Sequence, residues 1–373
     1  MNDGKGNIFE DFLKAFQKEM KEMGHANLII AGRTGVGKST LINSAFRKNL
    51  AETGIGKPVT DEMRVYEIEG YPLRLYDTVG FELDPEKQRK TIETIKQECK
   101  RAERLNDPDQ FIHCMWYCVL SNSNRLEQVE VDFINEIAEL MPVVVVLTQV
   151  ITKKQAEAFK NQILKDYPGI KAKNIWLVLA QDYDDDDRIK PAFGVDTLVE
   201  FSMGLLPEAA QKAWCNAQKA SIKLKVDKAK KLVMTTAAAS FGEGYMPLPF
   251  ADATALVPTQ IGMIAGITAI FGMDISKSLM RAIVTSLLGT AGTTLAGRTI
   301  VSNLLKLIPG VGTVVGGTIN GATAALLTTA LGETYIKIME MTASGELNEK
   351  DLGTEKVQKQ IHEMFIDKLK KRE

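Results

Sequence analysis

The chain has 373 residues, 45% of them hydrophobic, with 46 lysines and arginines against 47 aspartates and glutamates. That length exceeds one ordinary domain and permits a large core. A net charge of −1 removes the electrostatic case for nucleic acid as a partner. Cys99, Cys114, Cys118 and Cys215 show neither metal-type spacing nor a disulfide framework, so a reducing, cytoplasmic setting is expected, and the scattered His25, His113 and His362 read as structural or exposed. The first residues carry no charged-then-apolar leader, and no secretory signal is expected.

In chain order, Ile8, Phe9, Phe12, Leu13, Phe16, Met20 and Met23 recur at helical spacing, which predicts one amphipathic helix over 8–23 in need of a partner surface. From 27 to about 206 short β-rich runs alternate with helical segments. Strands are expected at 27–31, 64–69, 73–77, 111–120, 143–148 and 174–180, and the clearest helices at 85–105, 126–140, 153–166 and 195–205. Such alternation predicts an α/β fold, a mostly parallel six-stranded sheet with helices on both faces. The acidic run at 182–187 reads as a solvated loop.

Residues 32–40 read Gly-Arg-Thr-Gly-Val-Gly-Lys-Ser-Thr between an apolar strand pattern and the start of a helix, the context a phosphate-binding loop needs. Gly32, Gly35 and Gly37 let the backbone curl until successive N–H groups converge, and the helix beginning near Lys38 adds its positive dipole end. Arg33, Thr34, Val36 and Thr40 complete the cradle. Lys38 is expected on the β- and γ-phosphates and Ser39 on Mg²⁺. Asp77-Thr78-Val79-Gly80 follows at the end of the third strand, where Asp77 would support Mg²⁺ through water and Gly80 would supply an N–H to the γ-phosphate. The Gly- and Pro-broken segment 52–60 reads as a mobile loop, with Thr60 as the hydroxyl that joins Mg²⁺ when a γ-phosphate is present and Thr53 as its competitor.

On these motifs the region from 27 to about 206 resembles the Era-like branch of translation-factor-class GTPases, and looks closest to bacterial relatives of the immunity-related GTPases that carry a Gly- and Ala-rich helical C-terminal domain. Residues 246–253 with Gln260, and 307–312, resemble hallmarks of that extra domain. The resemblance implies GTP/GDP and Mg²⁺ as ligands, with Thr148, Gln149 and the Ala180 N–H framing the base. Two departures stand out. Ile151 occupies the place of the base-reading Asp, so guanine preference follows from the resemblance and not from the residues, and ATP stays open. Phe81 stands where a water-orienting Gln is found in Ras-type proteins, so slow hydrolysis is expected, with Arg33 and Arg125 as candidate charge stabilisers that also read as plain surface arginines.

Beyond about residue 232 charge thins far below the 25% of the whole chain, and 282–297 and 307–332 carry none. Two readings compete: a helical bundle packed through small residues, or a membrane-contacting domain with a helical hairpin around Pro309-Gly310. The lysines at 219, 223, 225, 228, 230 and 231 suit anionic headgroups or an ordinary solvated face. A second helical stripe runs from Leu347 to Leu369. The organisation expected is an N-terminal helix (1–25), a P-loop GTPase domain (26–206), a basic connector (207–231), a Gly/Ala-rich helical domain (232–342) and a C-terminal helix (343–373). The function expected is a slow, Mg²⁺-dependent GTPase that dimerises or self-assembles, its nucleotide state governing a lipid-associating C-terminal domain at the inner membrane face. The alternative is a nucleotide-gated membrane or scaffold protein with little turnover.

Overall fold

The computed structural model describes residues 8–48, 57–60, 63–78, 85–185, 188–243, 253–273, 321–348, 351 and 354–370. The chain divides into two compact units, one comprising residues 23–221 and the other 1–22 together with 222–373.

The first unit contains β1 (Ala26–Gly32), α2 (Lys38–Ala45), β2 (Lys57–Pro58), β3 (Met63–Glu67), β4 (Leu73–Thr78), α3 (Pro85–Leu105), β5 (Cys114–Leu120), α4 (Gln128–Ile137), β6 (Val143–Thr148), α5 (Lys153–Asp166), β7 (Asn174–Leu177), the short pair β8 (Tyr183–Asp184) and β9 (Ile189–Lys190), α6 (Val195–Met203) and α7 (Glu208–Ala217), with α1 (Ile8–Glu22) preceding it in the chain. The six expected strands are present, and the two-residue β2 adds an edge strand to give the order β2-β3-β4-β1-β5-β6-β7. Pairings β4-β1, β1-β5, β5-β6 and β6-β7 are parallel, whereas β2-β3 and β3-β4 are antiparallel. Every residue of β1 and β6 is buried, which explains their unbroken apolar runs: a central parallel strand has no solvent face on which to alternate.

Each sheet face has its own core. On one, Ile29, Met115, Tyr117, Val145 and Leu147 pack with Ile95 of α3, Phe133 and Ile134 of α4 and Phe159 of α5. On the other, Trp116 meets Phe46 and Trp214 at ring-centroid distances of 5.9 Å each, and its indole N–H donates to Ser202 Oγ at 2.9 Å. Truncating one of these fully buried indoles costs about 3–5 kcal/mol.

The second unit comprises α1, α8 (Ile222–Glu243), α9 (Ala253–Phe271), α10 (Gly321–Ala343) and α11 (Glu355–Lys370). Its helices α9 and α10 approach α8 closely: a Cβ on Gly266 would stand 2.7 Å from Leu232 Cδ2, and one on Gly332 2.4 Å from Val233 Cγ2. Two buried polar contacts lie within it: the Thr268 and Tyr335 hydroxyls are 2.7 Å apart, and the buried Lys225 donates to Phe271 O at 2.8 Å, at the C-terminal end of α9. Helix α9 continues through Pro258, its sixth residue, at the loss of one N–H from the ladder. Among the described residues no helix is long and apolar enough to cross a membrane. Residues 282–297 and 307–320, and with them the Met246 and Pro309 hallmarks, lie outside the described residues.

Candidate functional site

At the C-terminal edge of the sheet β1 ends in Gly32 and the chain turns into α2 at Lys38. Gly32, Gly35 and Gly37 have φ of 134°, 80° and 92°, conformations that a side chain resists, and together they curl the loop. Gly32 also pairs with Cys118 of β5, whose carbonyl oxygen would lie 2.3 Å from a Cβ at that position. Lys38 Nζ donates to the carbonyls of Gly32 (2.9 Å) and Arg33 (3.1 Å), so its ammonium arches back over the start of the loop. Ser39 and Thr40 follow in the first turn of α2, and Val36 is buried beneath.

Asp77 lies opposite Ile30 of β1 on β4 and opposite Arg64 on β3. Burial raises its carboxyl pKa, and Lys38 and Arg64 pull it the other way. Its Oδ1 and the neighbouring Thr78 Oγ1 are buried with no hydrogen-bond partner among the described residues. The Asp77 oxygen, within electrostatic reach of Lys38, is the donor chemistry that a hydrated Mg²⁺ satisfies, so this residue fits that ion, whereas Thr78, the next residue of the strand, belongs to the opposite face of the sheet. Thr60 lies in the turn between β2 and β3, its N–H donating to Met63 O at 3.1 Å and its hydroxyl 3.5 Å from Thr94 Oγ1 on α3. Gly80, Phe81 and Thr53 lie outside the described residues.

The base-motif residues brace the phosphate loop. Thr148 Oγ1 donates to Val36 O at 2.5 Å, with Val119 O at 3.1 Å, and Gln149, at φ 52°, donates its amide to Gly35 O at 3.3 Å. Gln149 and Ile151 both line a cavity of about 250 Å³, with Ser121, Asn122, Asn124, Thr152 and Gln155. The Ala180 carbonyl accepts from Ser44 Oγ of α2 at 2.6 Å, tying the β7 loop to the helix that leaves the phosphate loop. Arg33 points into the protein: its Nη2 meets Glu130 at 2.8 Å and Glu127 at 3.4 Å, and Arg125 also meets Glu127, at 3.1 Å. Both candidate charge stabilisers therefore share one glutamate. Glu127 and Glu130 went unnoticed in the sequence; their three-residue spacing at the start of α4 is a capping-box signal, but their partner lies 97 positions away for Glu130.

A parallel sheet whose first strand delivers a glycine loop into a helix, with an acid closing the neighbouring strand, defines the class: this is a P-loop GTPase fold, and the chain carries a GTPase domain followed by a helical one. Residues 27–149 match the family described as 50S ribosome-binding GTPase, which implies guanine-nucleotide binding, and residues 205–366 match a domain of unknown function, DUF697. The chain is similar to neuronal-specific septin-3 of Rattus norvegicus, 24% identical over 195 residues that cover 46% of this chain and 54% of the relative. It is also similar to septin-9 of Rattus norvegicus, 23% identical over 176 residues, 40% of this chain and 31% of the relative. It thus spans about half the length, or less, of these curated relatives. Among solved structures, that of Cdc11 from Saccharomyces cerevisiae aligns over 44% of this chain and 69% of that one, at 21% identity and a TM-score of 0.29.

Proposed function

We propose that the protein is a Mg²⁺-dependent GTPase of the Era-like branch, related to the immunity-related GTPases, whose nucleotide state governs its helical unit. Lys38 neutralises triphosphate charge, the loop amides from Thr34 to Thr40 hold the phosphate oxygens, Ser39 and Thr60 bind the metal, Asp77 supports it through water, and Gly80 senses the γ-phosphate. Bound Mg²⁺ would offset charge on the phosphates. Thr148, Gln149 and Ala180 frame the base. One observation carries this: the half-buried Asp77 carboxylate has a buried oxygen, Oδ1, without a partner among the described residues and lies within electrostatic reach of Lys38.

Transmission to the helical unit follows the covalent chain, because α1 belongs to that unit and runs through three residues into β1, the strand that delivers the phosphate loop. Association with lipid and with a second copy completes the proposal, supported by the uncharged runs of the C-terminal half. Calorimetric titration with GTP and ATP tests the first part: tight binding of GTP by the parent, abolished by Lys38→Ala, is expected, and equal binding by both proteins would overturn it. Phosphate release with and without anionic vesicles tests the second. Stimulation is expected; vesicle-independent turnover would remove lipid from the account.

The scaffold alternative is favoured by Ile151 and Phe81, which supply neither a base-reading carboxylate nor a water-orienting amide. Tight nucleotide binding with undetectable turnover under every condition would select it.

A further inference from the structure

The phosphate loop carries two charges, and the structure uses them as one device. Arg33 faces away from Lys38 with its side chain and towards it with its backbone. Its guanidinium donates to Glu130, whose carboxylate is only 2% exposed on α4. That carboxylate also accepts from the Tyr117 hydroxyl at 2.9 Å and from the Glu127 N–H at 3.0 Å. The Arg33 carbonyl, in turn, accepts from the Lys38 ammonium at 3.1 Å. A chain of contacts therefore runs from a buried acid on α4, through one residue of the loop, to the lysine that meets the nucleotide.

The geometry points to Glu130 and Arg33 as positioning residues for the triphosphate: their ion pair fixes the Arg33 peptide, and the fixed peptide sets where the Lys38 ammonium waits. The assignment rests on the nucleotide-binding function proposed above and deepens it. An anchored carbonyl holds the ammonium ready, so little ordering is left for the moment of binding. Glu127 adds a weaker contact to Arg33 and leaves Arg125 tethered beside it, so the same acid pair holds the loop and the segment leading into α4.

Removing Arg33 alone strands a buried carboxylate without its cation, which destabilises the unit whatever the role of the pair. The test separates the two effects. In the full chain, MgGTP affinity and Tm are measured for the parent, Lys38→Ala, Glu130→Gln, Arg33→Ala and the double variant Arg33→Ala/Glu130→Gln. Arg33→Ala is expected to lose Tm and to bind MgGTP about tenfold more weakly, or about 1.4 kcal/mol. The double variant is expected to recover Tm, because no unpaired charge remains, while its affinity stays about tenfold down. Recovery of affinity together with Tm would reduce the pair to a structural one and overturn the assignment. Tighter binding or faster turnover by Glu130→Gln would mean that a freed Arg33 reaches the phosphates itself, and would overturn it too. Parental binding by Lys38→Ala would overturn the nucleotide-binding function, and the anchor with it.

Discussion

In the GTPase unit a Cβ on Gly32 would stand 2.3 Å from the Cys118 carbonyl oxygen; in the helical unit a Cβ on Gly332 would stand 2.4 Å from Val233 Cγ2. The two clashes are nearly equal in distance and opposite in kind. Cys118 O belongs to a backbone paired in a parallel ladder, and Gly32 is held at φ 134°, so neither partner can move without opening the sheet. Val233 presents the end of a side chain on a helix, which a second substitution can shorten. The constraint at Gly32 is therefore set by backbone and that at Gly332 by the fit of side chains, and the first should yield less readily to compensation.

The largest effect expected is that of Gly32→Ala, about 4 kcal/mol or more, since strain and overlap add. Thermal unfolding followed in the GTPase unit should show it, and Cys118→Ala should not relieve it because the carbonyl remains. Relief would mean that the ladder gives way more easily than the register implies.

Acid probes the same unit next. His113 is 7% exposed, and its Nδ1 accepts the Asn27 N–H, so it is held neutral. Burial lowers its pKa to about 4, with Asp109 pulling weakly upwards. The unfolded imidazole, near 6.5, binds its proton first, so stability is complete above pH ~6.5 and drains away as pH falls towards 4, by about 3 kcal/mol. Denaturant midpoints across that window should slope in the parent and flatten in His113→Gln; equal slopes would remove His113 from the account.

Gly332→Ala should cost about 2 kcal/mol in the helical unit. Here Val233→Ala should recover part of the loss, a coupling of about 1 kcal/mol in a double-mutant cycle. Additive costs would break the contrast with Gly32. The smallest effect expected is that of Tyr335→Phe, about 1 kcal/mol, because Thr268 keeps its bond to Ile264 O at 2.8 Å when the phenol is lost. A cost of 3 kcal/mol or more would show that the helical unit depends on its buried polar pairs as heavily as the sheet depends on its ladder.

Legibility in the sequence divides along the same line. Helices α3 and α5 run over 85–105 and 153–166 as their periodicity predicts, because each has one buried stripe against a polar remainder. The strand expected at 111–120 begins only at Cys114, preceded by a short 3₁₀ turn, Pro108–Gln110, that Asp107 caps by accepting the Asp109 N–H. The two-residue β2 was invisible, because Lys57 and Pro58 carry no strand pattern and only the neighbouring β3 makes them one. Helix α10 buries residues around its whole girth, Ala324 and Leu327 on one side and Thr329 on the other, so it has no single stripe to separate a packed bundle from a lipid-facing segment.

By itself the sequence determined the phosphate loop and its place between a strand and a helix, because that chemistry is local: glycines, a lysine and a hydroxyl within nine consecutive residues. Only the tertiary structure decided what holds the loop. Arg33 finds Glu130, Gly32 meets Cys118, and Thr148 and Gln149 brace Val36 and Gly35, all through contacts between residues that chain order keeps far apart. Such pairings follow from strand order and register, which bring the ends of β1, β5 and β6 side by side, and no local pattern of residue types records them.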